Sequence, residues 1–319
     1  MLEAFDEEKW LRDGYYVWPG IMTPECRRLW SEALRECQAI QDYAIFNTDW
    51  NNMDWAAHGL PPLQKTLTDE DLHTWAGTSE ATVRGFPDGY GRGLRHHLPL
   101  AMPEGVENQG FFPEHFAQAY SPFLMEVTTQ HPQMLQMQRM LHGDAGPLRV
   151  DHCIMLNRKA GATGRTWHSH LYGPGDTETH DVTEGSGLFL VRSLCFPDGV
   201  TPGRDDRSPT PEDAPEDASL GGMVGMIPGS HTYRDPWPGP RLNVAGPPDT
   251  GMRESWMAGK VNPATGQPLE IVYPPLPPGS ILSFVHWMPH GVTLIEKGTR
   301  WGILLSKCRT QLSCRCLKV

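Results

Sequence analysis

Three histidines and one arginine have the types and spacing to do chemistry. Trp167-His168-Ser169-His170 follows a glycine-rich turn. Residues two apart on an extended chain share a face, so His168 and His170 can point into one cavity. His290, in HWMPHG, lies just past the run Ser280–His286, which reads as a strand. Two ligands at i and i+2 plus one from a distant strand is the layout of a facial metal triad, which leaves adjacent coordination positions open for substrate and oxygen. Arg300, at the start of RWGILLSK, follows His290 closely. A guanidinium aimed inward from a neighbouring strand can hold a carboxylate by two parallel hydrogen bonds. A metal with open positions beside such a group suits a keto-acid, chelated at one end and clamped at the other. Plainer readings stand beside these. An isolated HxH pair is common on protein surfaces, and spacing alone reads Arg300 more readily as an exposed charge at a strand end.

These residues need elements to place them. From residue 147 onward the runs are short, apolar or alternating: Leu148–Leu156, Gly187–Cys195, Gly222–Ile227, Ile271–Tyr273, Ser280–His286 and Trp301–Lys307. Turn residues separate them, which predicts a β-sandwich or barrel. Before that the chain reads as helical. Phe5–Asp13 predicts a helix stopped at Gly14, then a short strand over Tyr15–Pro19. Thr23-Pro24 gives an N-cap and a first-turn proline, with Leu29, Ala33, Leu34 and Cys37 at helical spacing behind them. Short helices are expected at Asp69–Trp75 and Pro113–Ala119, and a longer one over 121–142, whose methionines read as core. The segment Thr201–Ser219 is acidic, proline-rich and almost without apolar residues, and reads as a solvated loop. The expected organisation is one domain over 1–319. A mostly helical part and pocket cover would span 1–146, a β core 147–310, with the acidic insertion at 201–219.

Composition narrows the function. The 30 prolines and 33 glycines among 319 residues argue against a helical bundle. With 38 acidic against 27 basic residues the net charge is −11, so no basic footprint for nucleic acid exists. The apolar runs are too short to span a membrane as a helix. The opening MLEAFDEEKW lacks a signal or transit pattern, and the closing CLKV is no peroxisomal signal, so a cytoplasmic location is expected. Seven cysteines, an odd count, suit reduced thiols, and the Cys314/Cys316 pair is too small a donor set for a zinc site. The expected partner is a small-molecule substrate, with no nucleic acid or membrane; oligomeric state is open.

Longer strings add a resemblance. FDEEKWLRDGYYVWPGIMTPECRRLW, HPQMLQMQRMLHG, GGMVGMIPGSH and PPGSILSFVHWMPHG, taken together, resemble the phytanoyl-CoA dioxygenase family of iron(II)/2-oxoglutarate oxygenases. The likeness covers about 1–42 and 121–310. It implies a mainly β fold with flanking helices, a double-stranded β-helix (jelly roll, cupin-like). It implies Fe(II) on His168 and His290, and 2-oxoglutarate on the iron and Arg300. O2 would oxidise the keto-acid to succinate and CO2 while an unactivated C–H of a small molecule is hydroxylated, desaturated or oxidatively cyclised. His231, in PGSH, falls on a structural turn position of the family.

One position departs from the family, which has His-x-Asp where this chain has His168-Ser169-His170. His170 can replace the carboxylate and give a three-histidine site. Asp176, Glu178 or Asp181 can swing in from the following loop. Alternatively two protein ligands remain and water or an anion fills the vacancy, although a histidine would crowd an anion there. Asn157, Trp167 and Thr293 are candidate pocket walls or keto-acid partners. His152 reads as structural, and Lys297, in a turn, as a solvated rival to Arg300. Two other classes stay open: a three-histidine metal oxygenase or isomerase that uses no keto-acid, and a non-catalytic jelly-roll binding protein.

Overall fold

The structure is a computed structural model that describes residues 5–47, 49–54, 56, 65–77, 148–155, 158–160, 167, 169, 190–203, 219–233, 252–285 and 287–309. His168, His170, Asn157, Asp176, Glu178, Asp181, the cysteines 314 and 316, the expected helices at 113–119 and 121–142, and most of 201–219 lie outside the described residues.

The N-terminal elements follow local chemistry. Helix α1, Glu7–Asp13, is capped by the Asp6 carboxylate, which accepts from the Lys9 N–H at 2.9 Å, and carries Glu7 and Glu8 in its first turn, where the helix dipole favours acids. It stops at Gly14, whose φ of 76° is the left-handed conformation that favours glycine. Strand β1, Tyr15–Trp18, follows directly. Helix α2, Pro24–Asn47, starts where Thr23 Oγ1 accepts from the Cys26 N–H at 3.2 Å. Cys26, Trp30 and Leu34, each four residues apart on one stripe, are its described core contacts. Helix α3 is Asp69–Gly77.

The strands are β2 (Leu148–Met155), β3 (Arg158–Lys159), β4 (Leu190–Phe196), β5 (Leu220–Gly221) and β6 (Val224–Met226). After a 3₁₀ turn at Ser230–Thr232 and helix α4, Met252–Met257, come β7 (Ser280–Val285), β8 (His290–Val292), β9 (Ile295–Lys297), β10 (Thr299–Arg300) and β11 (Ile303–Arg309). Five form an antiparallel sheet in the order β1-β7-β4-β11-β2; β10 pairs with β3, β5 with β9 and β6 with β8, also antiparallel. Strand β7 is buried at every residue. Its Ile281, Leu282, Phe284 and Val285 share a core with Trp10, Trp30 and Leu34, each buried Leu or Phe contributing about 1.5–3 kcal/mol. The polar pair inside it is satisfied, since Ser193 and Ser283, directly opposed, share a hydrogen bond of 2.9 Å.

One expected strand is reduced. Ile271–Tyr273 forms only an isolated bridge, Val272 to Met226, with both backbone bonds at 2.9 Å. Pro274, Pro275, Pro277 and Pro278 follow at once and withhold the N–H donors a longer ladder needs.

His231 locks α1 onto the sheets. Its Nε2–H donates to the Leu11 carbonyl at 3.2 Å, its own carbonyl accepts from Trp287 Nε1 at 2.8 Å, and Nδ1 is buried with no hydrogen-bond partner. A Cβ on Gly14 would stand 2.3 Å from the ring, so glycine is needed there for space as well as for φ. This is the structural role the resemblance implies for the PGSH histidine. Burial pushes the imidazole down from 6.5 to about 4, outweighing the Leu11 bond and nearby Asp13, both of which favour the charged form. The unfolded chain therefore binds a proton between pH 6.5 and 4 that the folded chain refuses. The stabilisation is complete above pH 6.5 and is lost as pH falls to 4, a total of about 3 kcal/mol. Urea midpoints measured from pH 7 to 4 should fall along this slope in the wild type, and more shallowly in His231→Gln.

Candidate active site

His290 opens β8 beside Met226 of β6 and is 6 % exposed. Its Nδ1 lies 2.8 Å from the Met288 carbonyl oxygen. A carbonyl only accepts, so a proton sits on Nδ1; in the neutral form of the ring, Nε2 would carry the lone pair, the atom a metal takes. Phe284 of β7 holds the ring from one side, centroids 4.7 Å apart and planes tilted by 55°.

Trp167 and Ser169 are tied to this strand. Gly225 and Gly291 are directly opposed in the β6–β8 pair. A Cβ on Gly225 would come within 2.8 Å of Trp167 Cζ2, and one on Gly291 within 2.9 Å of Trp167 Cε2. The indole therefore rests on a glycine platform, on the face of the pair opposite to His290. Two residues on, the Ser169 hydroxyl donates to the Trp287 carbonyl at 2.6 Å. Trp167 and Ser169 are thus used for packing and anchoring. Both residues contact the stretch Trp287–Gly291, to which His290 belongs. Sequence reasoning missed the glycine platform; two glycines in different strands become a pair only once the register is known.

Arg300 points inward. It is 1 % exposed, against the plainer reading of a strand-end charge. Its Nη1 donates to the Gly222 carbonyl at 2.8 Å, and its guanidinium carbon stands 5.8 Å over the Phe196 ring of β4. Gly222, at φ +79°, leaves room for the arginine stem, since a Cβ there would lie 2.9 Å from Arg300 Cδ. That left-handed turn also explains why β6 starts later than the pattern predicts. Lys297, by contrast, is exposed at the end of β9. Thr293 is half-buried; its Oγ1 accepts from the Met223 N–H at 2.9 Å and its N–H donates to the Met223 carbonyl at 3.0 Å, closing the β6–β8 pair.

His290 and Arg300 face one surface. Phe196 and Phe284 are opposed to Ser280 and Arg192 across β4 and β7, and the alternation places Phe196, Leu194 and Arg192 with Ser280, Leu282 and Phe284 on the same side. A buried imidazole and a buried cation thus stand over one strip of sheet. Among the described residues no three metal-ligating side chains gather.

No family model and no curated protein matches the sequence. Solved structures do. HygX from Streptomyces hygroscopicus, with nickel and 2-oxoglutarate bound, is 15% identical, with 97% of this chain and 88% of that one covered and a TM-score of 0.47. The non-heme alpha ketoglutarate dependent epimerase SnoN from nogalamycin biosynthesis is 14% identical over 94% of this chain and 80% of its own, TM-score 0.46. EctD from S. alaskensis, with bound Fe, is 16% identical over 96% and 78%, TM-score 0.47.

Proposed function

We propose that this chain is an iron(II)- and 2-oxoglutarate-dependent oxygenase of the phytanoyl-CoA dioxygenase type, on a double-stranded β-helix, acting on a small molecule. The observation that carries this is the pairing of His290, its Nδ1–H on the Met288 carbonyl, with buried Arg300 over one face of β4 and β7. This donor chemistry fits the group: a neutral imidazole for a divalent metal, and a rigid fork for a carboxylate. Among the described residues, no helix is long and apolar enough to cross a membrane.

In this reading His168 and His290 hold the iron and His170 completes a three-histidine set. Bound there, Fe(II) with 2-oxoglutarate and O2 would supply the oxidation of an unactivated C–H, with release of succinate and CO2. Arg300 fixes the far carboxylate of the keto-acid and so orients its keto end toward His290. Asn157 and Thr293 flank the keto-acid; the Thr293 hydroxyl keeps its hydrogen to donate after accepting from Met223. Trp167 props the His290 strand from behind.

The test is an anaerobic titration of Fe(II) and 2-oxoglutarate, read by the visible charge-transfer band of a chelated keto-acid. The band should form in the wild type; its absence overturns the proposal. The third ligand is settled by substitution. His170→Asp should still bind Fe(II), carboxylate being the family's donor there, and His170→Ala should bind it much less tightly. Equal affinity of wild type and His170→Ala sinks the three-histidine site and turns attention to Asp176, Glu178 or Asp181, or to a two-histidine iron.

A further inference from the structure

Trp287 and Met288 offer consecutive carbonyls to two different donors. The Ser169 hydroxyl donates to the Trp287 carbonyl at 2.6 Å, and the His290 Nδ1–H donates to the Met288 carbonyl at 2.8 Å. Both bonds are buried, and Ser169 itself is 3 % exposed. The turn that carries the two carbonyls is held at further points. The Met288 N–H closes it on the Val285 carbonyl at 3.0 Å, and the Trp287 indole donates to the His231 carbonyl at 2.8 Å. Pro289 joins Met288 to His290 with a φ fixed by its own ring. Turn and imidazole thus form one braced unit, and Ser169 braces it from a distant part of the chain.

In the sequence Ser169 stands between His168 and His170, two of the residues assigned above to the metal. Its hydroxyl therefore links the stretch that contains them to the turn that orients His290. We propose that Ser169 is a positioning residue of the metal centre: through the Trp287 carbonyl it fixes the turn from which His290 is aimed. This rests on the functional reading above and adds to it how distant parts of the donor set are kept in register. Ligands bind an ion tightly when they are oriented before it arrives, and outer hydrogen-bonding partners that orient them are worth roughly 10–100-fold in metal affinity. A buried hydroxyl can also serve stability alone. The Ser193–Ser283 bond, 2.9 Å long and buried in the central sheet, is the comparison, because alternation puts Ser283 on the face away from Phe284 and the imidazole.

The experiment uses the full chain. Co(II) and Fe(II) are titrated anaerobically into wild type, Ser169→Ala, Ser169→Thr and Ser193→Ala, with urea midpoints measured alongside. Ser169→Ala should bind both ions about tenfold or more weakly and shift the visible Co(II) band. Ser169→Thr keeps the hydroxyl and should recover most of the affinity. Ser193→Ala should lower the urea midpoint while its metal affinity stays within about twofold of wild type. Unchanged metal affinity in Ser169→Ala overturns the proposal. So does equal weakening in Ser193→Ala, or a Ser169→Thr as weak as the alanine variant. If Ser169→Ala does not fold, Ser169→Cys, close in shape and a weak donor, takes its place under the same criteria. A wild type that binds neither ion defeats the functional reading. The positioning role is then read in the metal-free protein from hydrogen exchange of the His290 Nδ1–H, assigned by its loss in His290→Ala. Exchange about tenfold faster or more in Ser169→Ala, and unchanged in Ser193→Ala, upholds the role. No change, or a like change in both variants, overturns it.

Discussion

His290→Ala should leave the protein folded and unable to hold Fe(II) or form succinate. The ring is placed by two contacts that a metal does not supply, the Nδ1–H bond to Met288 at 2.8 Å and the Phe284 face. Nε2 is therefore oriented before metal arrives, and its loss removes a ligand together with that orientation. Loss of an outer hydrogen-bonding partner of a ligating histidine costs roughly 10–100-fold in metal affinity or activity, and loss of the ligand itself should exceed that. Co(II), as an air-stable reporter, and Fe(II) should be titrated into both proteins, with succinate measured in the presence of ascorbate and oxygen. Circular dichroism must show the native fold, because the β6–β8 pair begins at this residue. A His290→Ala variant with full activity would show that the site lies elsewhere.

Local chemistry made the N-terminal elements legible. Gly14 and the Thr23-Pro24 pair act within a few residues of themselves, so the stop and the cap could be read in place; the Asp6 cap, inside the expected helix, was not. The strand β7 was legible because burial of every residue leaves a largely apolar run. What resisted reading depends on contacts distant in sequence. The inward aim of Arg300 is set by the carbonyl of Gly222, a left-handed glycine 78 positions earlier. The support of His290 needs the Gly225–Gly291 register and an indole laid across it. The loss of the Ile271–Tyr273 strand was signalled, but by prolines beyond the apolar run rather than within it.

Arg300→Ala should weaken 2-oxoglutarate far more than iron. The guanidinium is fully buried against Phe196, where its attraction to a carboxylate is little screened by water. Removing one partner of such a pair costs about 2–5 kcal/mol, or roughly 30- to several thousand-fold in affinity. Fe(II) binding measured without keto-acid should stay near wild type, since Arg300 donates to the Gly222 carbonyl and belongs to no ligand set. The same bond predicts a second effect. With the donor gone, the buried Gly222 carbonyl loses its hydrogen bond, a destabilisation of about 1–3 kcal/mol visible as a lower urea midpoint. Arg300→Lys separates the two effects. It keeps the charge, lacks the planar fork, and should recover only part of the keto-acid affinity while restoring a donor near Gly222. The dissociation constants come from the anaerobic charge-transfer titration. An unchanged constant in Arg300→Ala would move the clamp elsewhere, and Lys297, two strand ends away in the chain and exposed, would be the first cation to replace.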